Sequence, residues 1–300
     1  MSNEKSVPGT RPSPGTRRSL VAGSFDDLRL ADVRLLEEAA RWGPVHAVLW
    51  SDEAVCGWTG KPPKFPLAER YYLVQSIRYI DQVSTCEASA EAGPAPPLAG
   101  RPPGTWVVRE SEDAEDKRRH CRRMGWEYHV VAQALLEQVP VHPEGTREAA
   151  PSPHPEGTRE GAPRRKRVLV TGCFDWFHSG HVRFFEEVAA LGDLYVVVGH
   201  DANIRFLKGD GHPLFPQAVR RYMVGAVRCV RQALVATGHG WLDAEPEIRR
   251  IRPHIYAVNA DGDRPEKRAY CAANGIEYRV LQRVPKPGLP PRKSTDLRGF

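Results

Sequence analysis

One unit is written twice in this chain, and the repeat limits the folds that the chain can adopt. Nine of twenty residues are identical between VAGSFDDLRLADVRLLEEAA (21–40) and VTGCFDWFHSGHVRFFEEVA (170–189), at an offset of 149. Two further pairs follow in the same order at an offset of 150: RYYLVQSIRYI (70–80) with RRYMVGAVRCV (220–230), and DKRRHCRRMGWEYHVV (116–131) with EKRAYCAANGIEYRVL (266–281). Three ordered matches with a one-residue shift predict a duplicated domain.

The composition of the middle of the chain separates the two copies. Residues 140–165 are rich in Pro, Gly, Ala and Glu and contain HPEGTRE twice, a composition that cannot bury an apolar core. We therefore predict a disordered tail over 1–18, an N-terminal copy over 19–139, a linker over 140–165 and a C-terminal copy over 166–300.

Each copy alternates between strand-like and helix-like patterns. In the C-terminal copy, the β-branched run RVLVTG ends at a glycine, the apolar residues of GHVRFFEEVAAL recur at helical spacing, and LYVVVG begins the next strand. PQAVRRYMVGAVRCV opens with Pro216 and predicts a long amphipathic helix over 216–230, and three more strands follow in ALVAT, HIYAV and IEYRVL. This alternation predicts an α/β fold of two tandem Rossmann-like domains, each with a doubly wound parallel sheet.

Composition excludes several classes of protein. No apolar run in the 300 residues reaches the roughly 18–20 residues of a membrane span, and the polar N-terminus lacks the apolar core of a signal peptide. The six cysteines include no CxxC pair, so we expect reduced thiols in a cytoplasmic protein. The net charge of +6 comes from dispersed basic residues, which favours small anionic ligands over nucleic acid.

Two histidines mark the predicted active site. His178 and His181 flank Ser179 and Gly180 at the expected start of a helix, directly after the first strand of the C-terminal copy. Ligands of parallel sheets bind at the carboxyl ends of the strands, and a helix N-terminus attracts phosphate. Two imidazoles on one turn could donate hydrogen bonds to a phosphoryl group that gains charge. Two other interpretations stay open for this pair: the histidines could form half of a metal site, or both could be structural.

FDWFHSGH, with its TGCFD lead-in, resembles the HxGH signature of the cytidylyltransferase-like nucleotidylyltransferases. Other landmarks of that family appear in order: Asp201 and Lys208 in HDANIRFLKGDG, Arg220 in QAVRRYM, and a Ser/Thr-rich segment expected to open a helix in RKSTDLRG (292–299). The resemblance covers residues 166–300 and implies transfer of a nucleotidyl group onto a phosphate, with release of pyrophosphate.

The resemblance also implies roles for individual residues. His178 and His181 would hold the triphosphate and stabilise charge on its α-phosphate, and Lys208 would bridge that phosphate and the acceptor phosphate. Mg²⁺ is expected with a triphosphate substrate; Asp175 and Asp201 are candidates for metal or orienting roles, and no metal ligand is assigned. The expected nucleotide contacts are Gly172, Cys173, Phe174, Asp175, Gly180, Asp201, Arg220, Asp261, Ser294 and Thr295.

The N-terminal copy lacks these chemical groups. Arg29, Ala31 and Asp32 stand where the other copy has His178, Gly180 and His181, and Thr59 stands in place of Lys208. An aspartate repels phosphate. The framework residues are retained at Gly23, Phe25, Asp26 and Arg70. Catalysis is therefore expected in the C-terminal copy alone.

The sequence thus predicts a cytidylyltransferase whose substrates are CTP and a phosphorylated alcohol such as phosphoethanolamine. Two-domain members of the family, which resemble the ethanolamine-phosphate cytidylyltransferases, have a similar layout. An adenylyltransferase that uses ATP with a phosphorylated small molecule or sugar phosphate, and a nucleotide-binding regulatory pseudoenzyme, are the alternatives. The two copies are expected to pair as an intramolecular pseudo-dimer through 70–80 and 220–230. A further homodimer stays open.

Overall fold

A computed structural model describes residues 17–87, 96, 98–140, 165–294 and 297. Most of the predicted tail (1–18) and linker (140–165) lies outside the described residues. The strands are β1 Ser19–Gly23, β2 Val45–Trp50, β3 Ile80–Cys86, β4 Thr105–Arg109, β5 Glu127–Val131, β6 Arg167–Gly172, β7 Asp193–Val198, β8 Val230–Val235, β9 Ile255–Asn259 and β10 Glu277–Leu281. The helices are α1 Leu30–Ala39, α2 Asp52–Thr59, α3 Leu67–Gln75, α4 Glu115–Met124, α5 Gln133–Leu136, α6 Ser179–Ala189, α7 Asp201–Lys208, α8 Gln217–Gly225, α9 Glu245–Ile251 and α10 Pro265–Ala273.

The strands form two five-stranded sheets, one in each copy. Their orders are β3-β2-β1-β4-β5 and β10-β9-β6-β7-β8, and every pair of neighbours is parallel. The first strand of each copy is central, and the chain then fills one side of the sheet before it crosses to the other. The predicted α/β fold with two tandem Rossmann-like units is confirmed.

The predicted helix over 216–230 is too long. α8 ends at Gly225, and β8 begins at Val230. The matching segment of the N-terminal copy divides in the same way, since α3 ends at Gln75 and β3 begins at Ile80. The apolar periodicity continues past each helix end because the next few residues are also buried, but against the other copy.

Those short segments join the copies through an antiparallel bridge. Ile77 pairs with Val227. The amide of Arg78 donates to the carbonyl of Ala226 and the amide of Arg228 to that of Ser76, each at 2.8 Å. The partners are related by the offset of 150 that relates the copies, so the bridge has approximate twofold symmetry. The two segments expected to pair are therefore in direct contact.

Side chains repeat this symmetry around the bridge. The hydroxyl of Tyr72 donates to Glu186 at 2.9 Å, and that of Tyr222 donates to Glu37 at 2.7 Å. One buried apolar cluster contains residues of both copies, among them Leu73 and Val224. The contact between the copies is thus part of the main hydrophobic core.

The fold agrees with two expectations from composition. None of the six cysteines forms a disulfide. Within the ranges that the structure describes, no helix has both the length and the apolar character needed to cross a bilayer.

Candidate active site

The candidate site lies where the central strand of the second sheet ends. β6 ends at Gly172, residues 173–178 form a loop, and α6 begins at Ser179. The neighbouring β7 is followed closely by α7, which starts at Asp201. The carboxyl ends of both strands and the N-terminus of α6 therefore meet at one edge of the sheet, as expected for a site that binds phosphate.

His178 caps α6 and is completely buried. Its Nδ1 accepts a hydrogen bond of 3.1 Å from the amide of Gly180. The single proton of a neutral ring must then lie on Nε2, which is 3.3 Å from the hydroxyl of Ser294. Burial, together with the charges of Arg283 and Arg292, lowers the pKa of His178 to about 3. The ring is therefore neutral at pH 7 and offers an N–H rather than a positive charge.

His181 stacks on His178, with ring centroids 3.9 Å apart. Burial and then His178, Arg283 and Lys208 lower its pKa well below the usual value. Its Nδ1 is buried and has no hydrogen-bond partner among the described residues. A buried polar atom without a partner is costly, so this nitrogen needs a partner that the described residues do not supply.

The C-terminal segment reaches the histidines. The hydroxyl of Ser294 lies 3.3 Å from the carbonyl of Trp176 as well as from His178. Thr295, the second predicted hydroxyl of this segment, lies outside the described residues, and so does most of the helix expected to begin there.

Lys208 and Asp261 border the site from two other elements. Lys208 is exposed at the end of α7, and its charge acts on both His181 and Cys173. Thr59 ends α2 at the matching place in the N-terminal copy, so the structure supports the alignment of these two residues. Asp261 follows β9 and is largely exposed, and one of its oxygens is 3.3 Å from Arg283.

Arg283 belongs to the site but was not predicted from the sequence. Its charge lowers the pKa of both histidines. It stands two residues after β10 and has a left-handed backbone, with φ of 48°. Its place beyond the carboxyl end of a parallel strand is the signal that could have identified it.

Three of the predicted nucleotide contacts are engaged in holding the loops together. Asp175 accepts from the amides of Leu214 and Phe215 at 2.8–3.0 Å. Arg220 is buried, and its Nη2 donates to Asp201 at 2.7 Å. Its other donors bond the carbonyls of Cys173, Gly199 and Phe215. These contacts fix the loop after β6 to the start of α7 and α8.

The N-terminal copy contains the same arrangement without the histidines. Asp26 accepts from the amides of Lys64 and Phe65, and Arg70 donates to Asp52 at 2.6 Å. The other bonds of Arg70 go to the carbonyls of Ser24, Trp50 and Phe65. Because this network persists where the chemical groups are absent, we assign it to the framework rather than to the chemistry.

The remaining loop residues shape the turn into α6. Phe174 has a φ of 51°, and its ring packs edge-on against His181 at 5.3 Å. A Cβ on Gly172 would lie 2.8 Å from that ring, and one on Gly180 would lie 2.9 Å from the carbonyl of Arg292. Both glycines therefore permit close packing. Cys173 is partly buried, which raises the pKa of its thiol.

The altered residues of the N-terminal copy form contacts of their own. Arg29 pairs with Asp27 at 2.7 Å, and Asp32 pairs with Arg109. The guanidinium of Arg29 also lies 4.0 Å from the ring centre of Trp176, in the loop 173–178 of the other copy. The indole of Trp176 donates to Asp27 at 3.1 Å. These residues of the N-terminal copy therefore support the loop that leads into α6.

A cationic cleft of about 350 Å³ adjoins the N-terminus of α6. The segment 282–293 forms much of its wall. Five basic residues line the cleft, namely Arg183, Arg283, Lys286, Arg292 and Lys293. Four of them, Arg183, Arg283, Lys286 and Arg292, also pair with carboxylates, so the cleft is only moderately cationic.

The site does not form a cage for a resident metal. Among the residues that the structure describes, no group of three or more His, Cys, Asp or Glu side chains is placed to hold an ion. Asp175 and Asp201 already accept hydrogen bonds from N–H donors. Mg²⁺ commonly keeps several waters and binds through substrate phosphates, so an ion that arrives with a triphosphate would need few ligands from the protein.

Comparison with known proteins identifies the family. A family model described as cytidylyltransferase-like matches residues 169–265. The chain is 34% identical over 119 residues to the FAD synthase of Methanocella paludicola, covering 39% of this chain and 81% of that protein. The chain belongs to the cytidylyltransferase-like family. The resemblance seen in the sequence is thereby confirmed, and the matched residues contain the loop, both histidines and Lys208.

Other relatives match a similar share of this cytidylyltransferase-like chain. The FAD synthase of Aciduliprofundum boonei is 35% identical over 136 residues, which are 44% of this chain and 84% of that protein. The bifunctional protein HldE of Pelobacter propionicus is 35% identical over 100 residues, which are 33% of this chain. The chain spans only 20% of the length of that HldE protein.

Proposed function

We propose that the C-terminal copy transfers a nucleotidyl group from a nucleoside triphosphate to a phosphate monoester and releases pyrophosphate. One observation carries this proposal: two neutral imidazoles are stacked at the N-terminus of α6, one with a buried nitrogen that has no partner, in the copy that also carries Lys208. The N-terminal copy keeps the framework but has none of these groups.

The reaction consists of an exchange of one P–O bond for another. An oxygen of the acceptor phosphate attacks the α-phosphorus, and the bond from that phosphorus to the bridging oxygen breaks. The electron pair leaves with pyrophosphate, whose charge a Mg²⁺ ion bound to the triphosphate would neutralise. No proton needs to be removed from a phosphate nucleophile, so catalysis consists of positioning and charge stabilisation.

The residues of the site divide this work. The N–H groups of His178 and His181 donate to oxygens on which negative charge grows, and being neutral they need no counter-ion in a buried place. Lys208 is exposed and long enough to contact both the α-phosphate and the acceptor phosphate. Ser294, together with Thr295 by the family resemblance, would contact the outer phosphates. Arg283 and the basic cleft would neutralise the remaining charge.

We favour ATP as the donor. FAD consists of FMN joined to AMP, so proteins named FAD synthase form a product that contains an adenylyl group. The chain covers 81% and 84% of two such relatives. The acceptor would then be a phosphorylated small molecule, and FMN is the first to test.

CTP with phosphoethanolamine is the second candidate. The tandem arrangement of two copies in one chain favours it, because that layout resembles the two-domain ethanolamine-phosphate enzymes. The two candidates differ in the base and in the acceptor but use the same phosphate chemistry.

The test is pyrophosphate release by the full chain. ATP, CTP, GTP and UTP are each combined with FMN, phosphoethanolamine, phosphocholine, glycerol phosphate and sugar phosphates in the presence of Mg²⁺. We expect release that requires both a donor and an acceptor. His181→Ala should lower turnover about 100-fold or more, the effect of removing one transition-state donor.

Lys208→Ala provides a second variant with a matched control. It should reduce turnover and weaken binding of the acceptor, whereas Thr59→Ala changes the corresponding residue of the N-terminal copy and should have no effect. Nucleotide binding without pyrophosphate release from any pair would favour a regulatory pseudoenzyme. Near-normal turnover of His181→Ala would contradict the assigned roles.

A further inference from the structure

A carboxylate of the N-terminal copy contacts the active site of the C-terminal copy. Glu69 lies on α3 and is completely buried. Its Oε1 accepts a hydrogen bond of 2.6 Å from the hydroxyl of Ser179. The guanidinium of Arg292 binds both of its oxygens, with the closest approach at 2.8 Å from Nη2 to Oε2. All of these partners belong to the C-terminal copy.

The two partners belong to separate parts of the site. Ser179 stands between His178 and Gly180 and is the first residue of α6. Arg292 stands two residues before Ser294, whose hydroxyl lies 3.3 Å from Nε2 of His178. Glu69 therefore links the start of α6 to the segment 286–294, which brings Ser294 to His178. We call the contacts of Glu69 with Ser179 and Arg292 the clasp.

The segment depends on few other anchors at this end. Arg292 is only 20% exposed in its side chain, and Glu69 is the partner of its ion pair. Further back, Lys286 pairs with Glu186 at 3.0 Å, and Arg183 donates to the carbonyl of Val284 at 2.8 Å. Those contacts hold the start of the segment against α6, whereas the end next to Ser294 is held by Glu69 of the other copy together with the contacts of Ser294 to Trp176 and His178.

The symmetry-related position of the interface has no contact of this kind. By the offsets that relate the copies, Val219 corresponds to Glu69, and Leu30 corresponds to Ser179. Val219 and Leu30 both line an apolar cavity of about 350 Å³ between the copies. A buried carboxylate at this position is therefore not a general requirement of the interface, since Glu69 stands on the side where the histidines and the C-terminal segment meet and its counterpart Val219 is apolar.

We propose that Glu69 is a positioning residue of the active site, supplied by the copy that has lost its own chemistry. The proposal rests on the nucleotidyl-transfer function proposed above. A buried carboxylate with both a hydroxyl and a guanidinium fixes its partners in one geometry. Displacing catalytic groups by about 1 Å can lower a rate by roughly 100-fold, so loss of this clasp should affect turnover without any contact to substrate.

The test compares Glu69→Gln with wild type in the full chain. The amide oxygen can still accept from Ser179, but the charge that pairs with Arg292 is lost. We expect kcat to fall by about 10-fold to 100-fold, with a smaller change in KM for the nucleotide. Arg292→Gln should cause a similar loss. The double variant should lose less than the product of the two single effects, because both residues act through one contact.

Tyr222→Phe is the matched control. It removes the hydrogen bond between α8 and α1 in the same interface, which involves neither the histidines nor residues 286–294, so it should lower stability without lowering kcat. Urea unfolding of each variant separates these effects. A kcat for Glu69→Gln equal to that of wild type, or a loss of kcat in Tyr222→Phe as large as in Glu69→Gln, would overturn the proposal.

Amide hydrogen exchange tests the clasp independently of any activity. Residues 286–294 should exchange faster in Glu69→Gln than in wild type, while Tyr222→Phe should leave their exchange unchanged. Unchanged exchange in Glu69→Gln would refute the positioning role even if the enzyme were active. Faster exchange in a protein that releases no pyrophosphate would instead place the failure in the proposed function.

Discussion

Arg220 and Arg70 offer a direct test of which residues build the site and which perform its chemistry. Sequence analysis expected Arg220 to bind the nucleotide, but both arginines occupy equivalent buried networks, one beside the histidines and one in the copy without them. The perturbation is to replace each in turn by methionine, which keeps much of the volume and removes every donor. A framework role predicts nearly equal losses of stability.

The expected magnitude follows from the contacts. Each guanidinium bonds three backbone carbonyls and one aspartate, with distances between 2.5 and 3.0 Å. Arg220 is 1% exposed and Arg70 is 0% exposed. The partner aspartates, Asp201 and Asp52, are 34% and 39% exposed, so the cost comes mainly from the three buried carbonyls that lose a charged donor, and about 3–5 kcal/mol in total is expected. We expect each variant to lose about that much of its free energy of unfolding.

The assay is urea unfolding at pH 7, followed by far-ultraviolet circular dichroism, together with turnover of the folded fraction. Both variants should unfold at clearly lower urea concentrations than wild type. If Arg220→Met lost less than about 1 kcal/mol while Arg70→Met lost about 3–5 kcal/mol, the bonds of Arg220 would not be supporting the fold. Its charge would then be available to the triphosphate, and our assignment would be wrong.

Two further predictions concern pH and the contact between the copies. Because burial lowers the pKa of His178 to about 3, the unfolded chain takes up this proton from about pH 6.5 downward and the folded chain does not. As the pH is lowered from 6.5 to about 3, the free energy of unfolding should therefore fall by up to roughly 1.4 kcal/mol per pH unit for this group. Urea unfolding at several pH values should show a smaller dependence on pH in His178→Gln than in wild type. An equal dependence in both proteins would contradict a neutral, buried His178. Residues 166–300 expressed alone would expose the face around Val227 and Tyr222 and should form homodimers, aggregate or lose activity, as measured by light scattering and pyrophosphate release. A monomeric and fully active fragment would contradict a supporting role for the N-terminal copy.

The repeat and the alternation of apolar segments were sufficient to predict the fold. A strand such as RVLVTG is buried on both faces, and its composition shows this without any information about its neighbours. The end of α8 was not predictable in the same way. Residues 226–229 continue the apolar pattern of the helix, but their backbone bonds to the other copy, and such a long-range partner has no local signal.

The residues of the site also differ in whether the sequence could predict them. His178, His181 and Lys208 were found because their residue types differ between the copies at aligned positions. Glu69 escaped notice because it lies next to an expected framework arginine, and its partners are 110 and 223 residues away in the sequence. A pattern along the chain reports which groups are present; it does not report that a residue of one domain completes the other.

The symmetric bridge through Ile77 and Val227 has a consequence for how such a protein can change. In a dimer of identical subunits every substitution appears twice, so a residue that improves one half of the interface must also be tolerated in the other half. Joining the two halves in one polypeptide removes that restriction. Glu69 and Val219 show the result, since the same structural position carries a buried charge on one side of the axis and an apolar side chain on the other. Each half can then specialise separately, one for chemistry and one for holding the chemistry in place.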